Sequence, residues 1–149
     1  MAKFKYRMQN ILDVTEKLES QERANFSLAN AKLEEEQKKL QQLLVQRAGY
    51  ESKLAELNAG KLDLQEIHTT KAAIDSMKVL VKNQMLEVRK AQRGVEMARK
   101  RLDDIMKDRK THENLKEKAF EEFKQELAQE ESKATDELVS YTYRIENEK

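Results

Sequence analysis

Apolar residues recur along the first third of the chain at alternating steps of three and four residues. The alternation is most regular over residues 37–57, where the seam consists of Leu40, Leu43, Arg47, Tyr50, Leu54 and Leu57. Such steps average 3.5 residues, the repeat that keeps one stripe of a helix facing a partner helix. The pattern therefore predicts one long helix over about residues 3–57.

Nearer the start of this helix, the apolar pattern predicts a seam in a different phase. Its members are Phe4, Met8, Ile11, Thr15, Leu18 and Glu22. The seven-residue repeat then slips between Glu22 and Phe26, which resembles a four-residue stutter that locally unwinds a supercoil. Packing is expected to be looser over about residues 15–36 than near the turn that follows this helix.

A turn at about residues 58–63 and a second helix over about residues 64–145 are predicted next. Gly60 suits the position after a helix end, because glycine takes positive φ without penalty. Asp63 followed by Glu66 resembles a capping box, although a start near Thr69-Thr70 stays open because β-branched residues weaken helix slightly. The expected seam is Ile74, Met77, Val81, Gln84, Val88, Ala91, Val95, Ala98, Leu102, Ile105, Arg109, His112, Ala119 and Phe123.

These elements predict an all-α fold of two long helices in an antiparallel coiled-coil hairpin, a single coiled-coil domain over residues 1–149. Narrow seams favour a rod over a compact core. Pairing about residue 63 places Phe4 opposite about residue 122, so the second helix overhangs at its C-terminus. Its remaining stripe either frays or binds another molecule, and it consists of Leu127, Ala134, Leu138, Tyr141 and Ile145.

Composition supports long helices. The 149 residues include no Pro, no Cys and only three Gly, and 38% are charged with a net charge of +1. Near-neutral charge and helical spacing argue against disorder, and an interior Pro would cost about 3 kcal/mol. Without cysteine, no disulfide or thiolate metal site is possible. The basic start is followed by no apolar run, so neither a secretory signal nor a membrane span is expected.

The sequence offers little for catalysis or for nucleic-acid binding. Residues 78–110 carry eleven Lys or Arg and five acids, but no aromatics interleave with them to stack bases, so a solvated coiled-coil face is favoured over a nucleic-acid surface. His68 and His112 are too far apart in sequence for a paired metal motif. No glycine-rich phosphate loop or nucleophile motif occurs. We expect no enzyme, no cofactor, no metal and no nucleic-acid partner.

Two groups of apolar residues are candidates for protein binding. The first group lies at the open end of the predicted hairpin, the end that contains the chain termini. Its apolar residues exceed what one narrow seam needs, so they could bind a partner helix or pack as an ordinary helix terminus. They are Phe4, Tyr6, Met8, Ile11, Leu12 and Val14. Near the hairpin, Leu43, Tyr50 and Met77 sit in the seam and favour core. Leu80 lies one position off the seam, which leaves apolar surface for a contact.

The segment FKYRMQNILDV over residues 4–14 carries an aromatic-x-aromatic-x-apolar-Gln pattern that leads into Ile-Leu and a long charged coiled coil. On the basis of this segment, the chain resembles the FliJ family of flagellar export proteins. Its length, the absence of proline, the break near Gly60 and the position of Gln84 also fit, so the resemblance covers essentially the whole chain.

The resemblance implies a component of the flagellar type III export apparatus that takes part in flagellum biogenesis. Family members are antiparallel coiled coils similar to the central stalk of rotary ATPases. Their open end is expected to enter the hexameric export ATPase and stimulate it, while the region nearer the hairpin contacts the export gate membrane protein. Export chaperones are further partners. The implied location is cytoplasmic, at the inner face of the cell membrane at the flagellar base, with peripheral membrane association only through partners.

Carried onto this sequence, the gate contact falls on Leu43, Tyr50, Met77, Leu80 and Gln84. The chain departs from the family pattern where Gln46 and Ala73 replace expected aromatics. Three alternative functions stay open from the sequence alone: a structural coiled-coil scaffold that self-associates through its tail stripe, an anionic-polymer binder using residues 89–110, and the equivalent stalk of a virulence secretion system.

Overall fold

The chain folds into two α-helices that pair antiparallel, which confirms the predicted all-α hairpin. The structure, a computed structural model, describes residues 3–61 and 63–148, with the side chains followed through Asn147. Helix α1 spans Gln9–Ala59 and helix α2 spans Leu64–Glu148. Helix α1 begins later than the predicted residue 3, and the amide of Gln9 donates to the carbonyl oxygen of Tyr6 at 3.1 Å just before it.

The contacts of the chain divide it into two compact units. The hairpin unit is Ser20–Asp103, and the terminal unit combines the residues up to Glu19 with those from Asp104 onward. Each unit contains one stretch of α1 and one stretch of α2.

In the hairpin unit, the two helices bury an apolar seam. On α2 the seam follows the predicted alternation of three and four from Ile74 and extends back to Ile67, with Gln84 and Ala91 half-buried. Its buried residues are Ile67, Thr70, Ile74, Met77, Val81, Val88, Val95, Ala98 and Leu102. On α1, Phe26, Ala29 and Leu33 are half-buried, and the same period continues to Leu57. The antiparallel sense is fixed by a contact between Glu36 and Gln84 and by Lys53 Nζ lying 3.8 Å from Glu66 Oε1.

Asp63 caps the start of α2. Its Oδ1 accepts from the amides of Gln65 at 3.2 Å and Glu66 at 3.3 Å, which satisfies two of the unpaired amides at a helix N-terminus. The start predicted near residue 64 is therefore confirmed. The expectation for Gly60 is wrong, because no described residue has a positive φ. Helix α1 ends without a left-handed residue, and a Cβ on Gly60 would meet only Glu56 O at an ordinary 3.7 Å.

In the terminal unit, the seam of α1 does not follow the predicted phase. Leu12, Thr15 and Glu19 are buried, whereas Ile11 and Leu18 are exposed by 44% and 43%. The buried positions continue, without a slip, the seven-residue repeat that Phe26 begins in the hairpin unit. The predicted stutter between Glu22 and Phe26 is thus wrong. The physical reason is that α2 supplies a cation, Arg109, for the carboxylate of Glu19, so that this carboxylate can be buried.

Helix α2 continues past its last half-buried residue, Leu127. From residue 128 to residue 147 every side chain is exposed. The exposed large apolar residues of this tail are Leu138, Val139, Tyr141, Tyr143 and Ile145, with exposed fractions between 40% and 66%. Within the terminal unit, the tail therefore has no helix packed against its apolar stripe.

Candidate protein-binding surfaces

An aromatic cluster joins the start of the chain to α2. The ring of Phe4 lies edge-on to Phe120, with centroids 5.0 Å apart, and tilted to Phe123, with centroids 5.5 Å apart. Such geometry adds to the burial of the rings. The hydroxyl of Tyr6 is buried and makes no hydrogen bond. Phe4 and Tyr6, both predicted contact residues, are therefore half-buried packing residues in this unit.

Beside the seam, the terminal unit exposes a row of large apolar side chains. Met8, just before α1, is exposed by 40%, and Ile11 and Leu18 of α1 are exposed by 44% and 43%. Leu115 of α2 is exposed by 47%; in an antiparallel coiled coil, the heptad positions of Ile11 and Leu115 lie along the same edge. We call these four residues the terminal apolar edge. Leu12, also predicted as a contact, is only 3% exposed and belongs to the seam.

The seam of the terminal unit contains charge. Arg109 forms an ion pair with Glu19 and another with Glu113, in which Arg109 Nη1 lies 2.8 Å from Glu113 Oε1. The hydrogen bond to Glu113, followed by the bond to Glu19, raises the pKa of Arg109 above its usual value. Nearby, the hydroxyl of Thr15 donates to the carbonyl oxygen of Ile11 at 2.8 Å. Nδ1 of His112 is buried without a hydrogen bond.

The hairpin unit presents its predicted contact residues unequally. Leu80 is 48% exposed and Tyr50 is 38% exposed, so both offer apolar surface to another molecule. Leu43 is half-buried. Met77 is only 7% exposed and packs between the helices.

Gln84 uses its side-chain amide inside the hairpin. Its Nε2 donates to the carbonyl oxygen of Glu36 at 2.9 Å and also to the Glu36 carboxylate. Nζ of Lys32 and of Lys39 lie 3.3 and 3.6 Å from the same carboxylate. The hydrogen bond from Gln84 is the largest cause that lowers the pKa of Glu36, against the opposing effect of burial. Gln84, predicted as a contact residue, therefore holds a buried carboxylate in the seam.

Sequence reasoning missed several exposed apolar residues. Leu115, Phe120, Val139 and Tyr143 are exposed by 47%, 37%, 62% and 65%. The period of the seam itself could have identified Leu115 and Phe120, because each lies one position off it, as Leu80 does. Val139 and Tyr143 lie outside the tail stripe, and no sequence signal singles them out.

Within the described residues, no group of three or more His, Cys, Asp or Glu could hold a metal ion. Neither of the described helices has a stretch apolar enough to cross a bilayer. The surface features described above are apolar edges on paired helices.

The fold and these surfaces define a protein of the helical-hairpin class that exposes large apolar side chains beside its seam. A family model described as the flagellar FliJ protein matches residues 4–148. The chain therefore belongs to the FliJ family, and it is a component of the flagellar export apparatus. Comparisons with curated proteins and with solved structures gave no significant match.

Proposed function

We propose that the chain is the coiled-coil stalk of the flagellar export apparatus and that it binds and stimulates the hexameric export ATPase through its terminal unit. The observation that carries the proposal is the terminal apolar edge, since Met8, Ile11 and Leu18 are exposed although they recur at helical spacing. An amphipathic face of this kind suits insertion into an apolar groove of a partner. Membership of the FliJ family supports the export ATPase as the partner.

The stalk itself would carry out no chemistry. A hairpin of two different helix faces presents unequal surfaces to the subunits of a ring. Contacts that differ between subunits can shift their conformational equilibria by differential binding. The aromatic cluster of Phe4, Phe120 and Phe123 would stiffen the end that enters the ring.

The hairpin unit would contact the export gate membrane protein through Tyr50 and Leu80, supported by Leu43, Met77 and Gln84. Export chaperones would be further partners. These contacts would place the chain in the cytoplasm, at the inner face of the cell membrane at the flagellar base. Tyr50 and Leu80 support this part of the proposal because both keep exposed apolar surface.

The experiment is ATP hydrolysis by the matching hexameric export ATPase with and without the full chain. The test variant is Met8→Ser/Ile11→Ser, which alters the exposed edge and leaves Phe4 in its aromatic cluster. The matched control is Leu28→Ser/Val45→Ser, since these α1 side chains are more exposed, at 69% and 65%, and lie in the hairpin unit. We expect at least a tenfold loss of stimulation, equivalent to about 1.4 kcal/mol, for the test variant only.

Circular dichroism should show unchanged helicity in both variants, because the altered side chains are exposed. Removal of residues 1–14 should abolish stimulation while most of the helix remains. Undiminished stimulation by the test variant, or an equal loss in the control, would reject the terminal unit as the ATPase-binding end.

The exposed tail favours a second candidate function, a scaffold that self-associates. Leu138, Tyr141 and Ile145 share one face of α2 and are exposed by 66%, 64% and 40%. Sedimentation equilibrium separates the two functions: a stalk should sediment as a monomer or weak dimer, whereas a scaffold should form a stable oligomer that Leu138→Ser/Tyr141→Ser dissociates.

A further inference from the structure

Helix α2 of the hairpin unit carries a second stripe on the side opposite its seam. We call it the outer stripe, and it consists of Val79, Asn83, Leu86, Lys90, Arg93, Met97 and Lys100. Its steps alternate four and three, as those of the seam do, so the stripe stays opposite the seam along its length. All seven residues are exposed. At 1.5 Å per residue the stripe is about 30 Å long.

Three apolar side chains interrupt the polar positions of the outer stripe. Val79, Leu86 and Met97 are exposed by 59%, 48% and 57%. Single exposed apolar residues are ordinary on protein surfaces. Here the three lie on one line, on the face that α1 does not cover, and two cations, Lys90 and Arg93, lie between Leu86 and Met97.

The charge around the outer stripe has one dominant sign. From Lys78 to Arg101 there are eight Lys or Arg and two acids, and neither acid lies on the stripe. Lys90 Nζ lies 3.3 Å from Glu87 Oε1, and both side chains are exposed, so solvent screens this pair. Arg89 extends the positive surface on one flank of the stripe.

We propose that the outer stripe binds the surface of an anionic phospholipid bilayer, with α2 of the hairpin unit lying along the headgroups. Lys90, Arg93 and Lys100 would meet the lipid phosphates, and Val79, Leu86 and Met97 would enter the boundary with the acyl chains. Basic helices with interspersed apolar side chains bind membranes in this way. A nucleic acid would give the three apolar side chains nothing to bind, and no aromatic residue on the stripe can stack bases.

This contact goes beyond the proposed stalk function and requires no export ATPase. It also departs from the expectation that the chain reaches the membrane only through partners. Three apolar side chains are too few to hold a helix on a neutral bilayer, so binding should require anionic lipid. It should weaken steeply with salt, because the Debye length shrinks to about 8 Å at 0.15 M ionic strength.

The experiment is flotation of the full chain with vesicles of phosphatidylcholine containing 30% phosphatidylglycerol, and with vesicles of phosphatidylcholine alone. The first test variant is Arg89→Gln/Lys90→Gln/Arg93→Gln. Its charge-matched control is Lys17→Gln/Lys71→Gln/Lys118→Gln, which removes three exposed lysines away from the stripe. The second test variant, Val79→Ser/Leu86→Ser/Met97→Ser, leaves every charge in place. Circular dichroism checks that each variant keeps its helicity.

We expect the wild type to float with the anionic vesicles only. The basic-residue variant should lose roughly 100-fold in partition coefficient, since each cation near an anionic surface contributes about a factor of five. The charge-matched control should lose less than about threefold, because its lysines lie off the stripe. The apolar variant should bind at least about fivefold more weakly.

Four results would overturn the proposal. They are no flotation with anionic vesicles in 0.1 M salt, an equal loss in the charge-matched control, undiminished binding by the apolar variant, and displacement from vesicles by a 30-base-pair DNA duplex at equimolar phosphate. The last two would identify a general anion-binding surface. Binding of an acidic protein with the same variant sensitivity, without vesicle binding, would identify a protein site instead.

Discussion

The hairpin unit and the terminal unit use the same seven-residue repeat with different side chains in it. In the hairpin unit α2 buries Val81, Val88 and Val95, and the amide of Gln84 donates to the buried carboxylate of Glu36 in the facing seam. In the terminal unit the repeat buries Thr15 and Glu19, and Arg109 of α2 forms an ion pair with Glu19.

The two seams contribute differently to stability and to the alignment of the helices. Apolar contacts hold two helices together without preferring one alignment strongly, whereas a buried charge pair penalises every alignment that separates its members. The hairpin unit thus gains its stability from burial. In the terminal unit the ion pair selects the phase in which Leu12 is buried and Ile11 is left exposed.

The largest effect is expected when the two neighbouring residues Ile11 and Leu12 are truncated one at a time. Leu12→Ala should lower the free energy of unfolding by about 2–3 kcal/mol, because a buried leucine is truncated and a cavity is left. Ile11→Ala should change it by less than about 0.5 kcal/mol, as is usual at exposed positions. Urea denaturation measures the free energy of unfolding of both variants. Equal losses would contradict the assignment of Leu12, and not Ile11, to the seam.

A somewhat smaller effect is expected when the charge pair is dismantled. Arg109→Leu should lower Tm by several degrees, because it leaves the buried Glu19 carboxylate without its guanidinium. Glu19→Leu should lower Tm less, since Arg109 keeps Glu113. The double variant Glu19→Leu/Arg109→Leu should recover most of the loss or exceed the wild type. Thermal melts followed at 222 nm test this cycle, and additive losses would show that the pair does not select the phase.

The smallest effect is expected in the hairpin unit and depends on pH. Because the folded chain lowers the pKa of Glu36, its unfolded state takes up a proton first as the pH falls. The stabilisation is therefore complete above the unfolded value of about 4.3 and is lost as the pH falls through the lower folded pKa. Gln84→Leu removes the largest cause of the shift, so its Tm deficit against wild type should shrink between about pH 5 and pH 3.

Gln92→Leu is the matched control for this experiment, since Gln92 is an exposed glutamine of the same helix. Its difference from wild type should not vary over the same pH range. A constant deficit for Gln84→Leu would mean that the amide stabilises the hairpin without acting on the ionisation of Glu36.

The seam of α2 was predictable from sequence almost residue by residue, because Val81, Val88 and Val95 are β-branched, apolar and regularly spaced. The start of α1 was not. The sequence of α1 alone favours Ile11 over Leu12 as the seam residue, because Ile11 continues the spacing of Phe4 and Met8. It contains no information that Arg109 of α2 lies next to Glu19. The end of α1 differed for a local reason, since a glycine permits positive φ without requiring it.

The candidate site was predictable in kind and not in detail. Excess apolar residues at the open end signalled a surface, and Met8 and Ile11 are exposed. Which residues face outward depends on the phase of the seam. Leu12, predicted as a contact residue, is therefore buried between the helices, and Leu115, which was not predicted, belongs to the terminal apolar edge. Gln84 could not be assigned from sequence, because its role depends on Glu36 across the hairpin. Partner roles for all these residues, and the single-domain organisation, stay predictions.

The exposed tail has an optical consequence. The chain has no tryptophan and four tyrosines, and two of them, Tyr141 and Tyr143, lie in the tail with 64% and 65% of their surface in water. Because half of the tyrosines lie in the tail, the tyrosine emission of the unlabelled protein reports on the tail. A partner without tryptophan or tyrosine that covers the tail would change this emission, and Tyr141→Phe/Tyr143→Phe would silence the response without altering the apolar stripe.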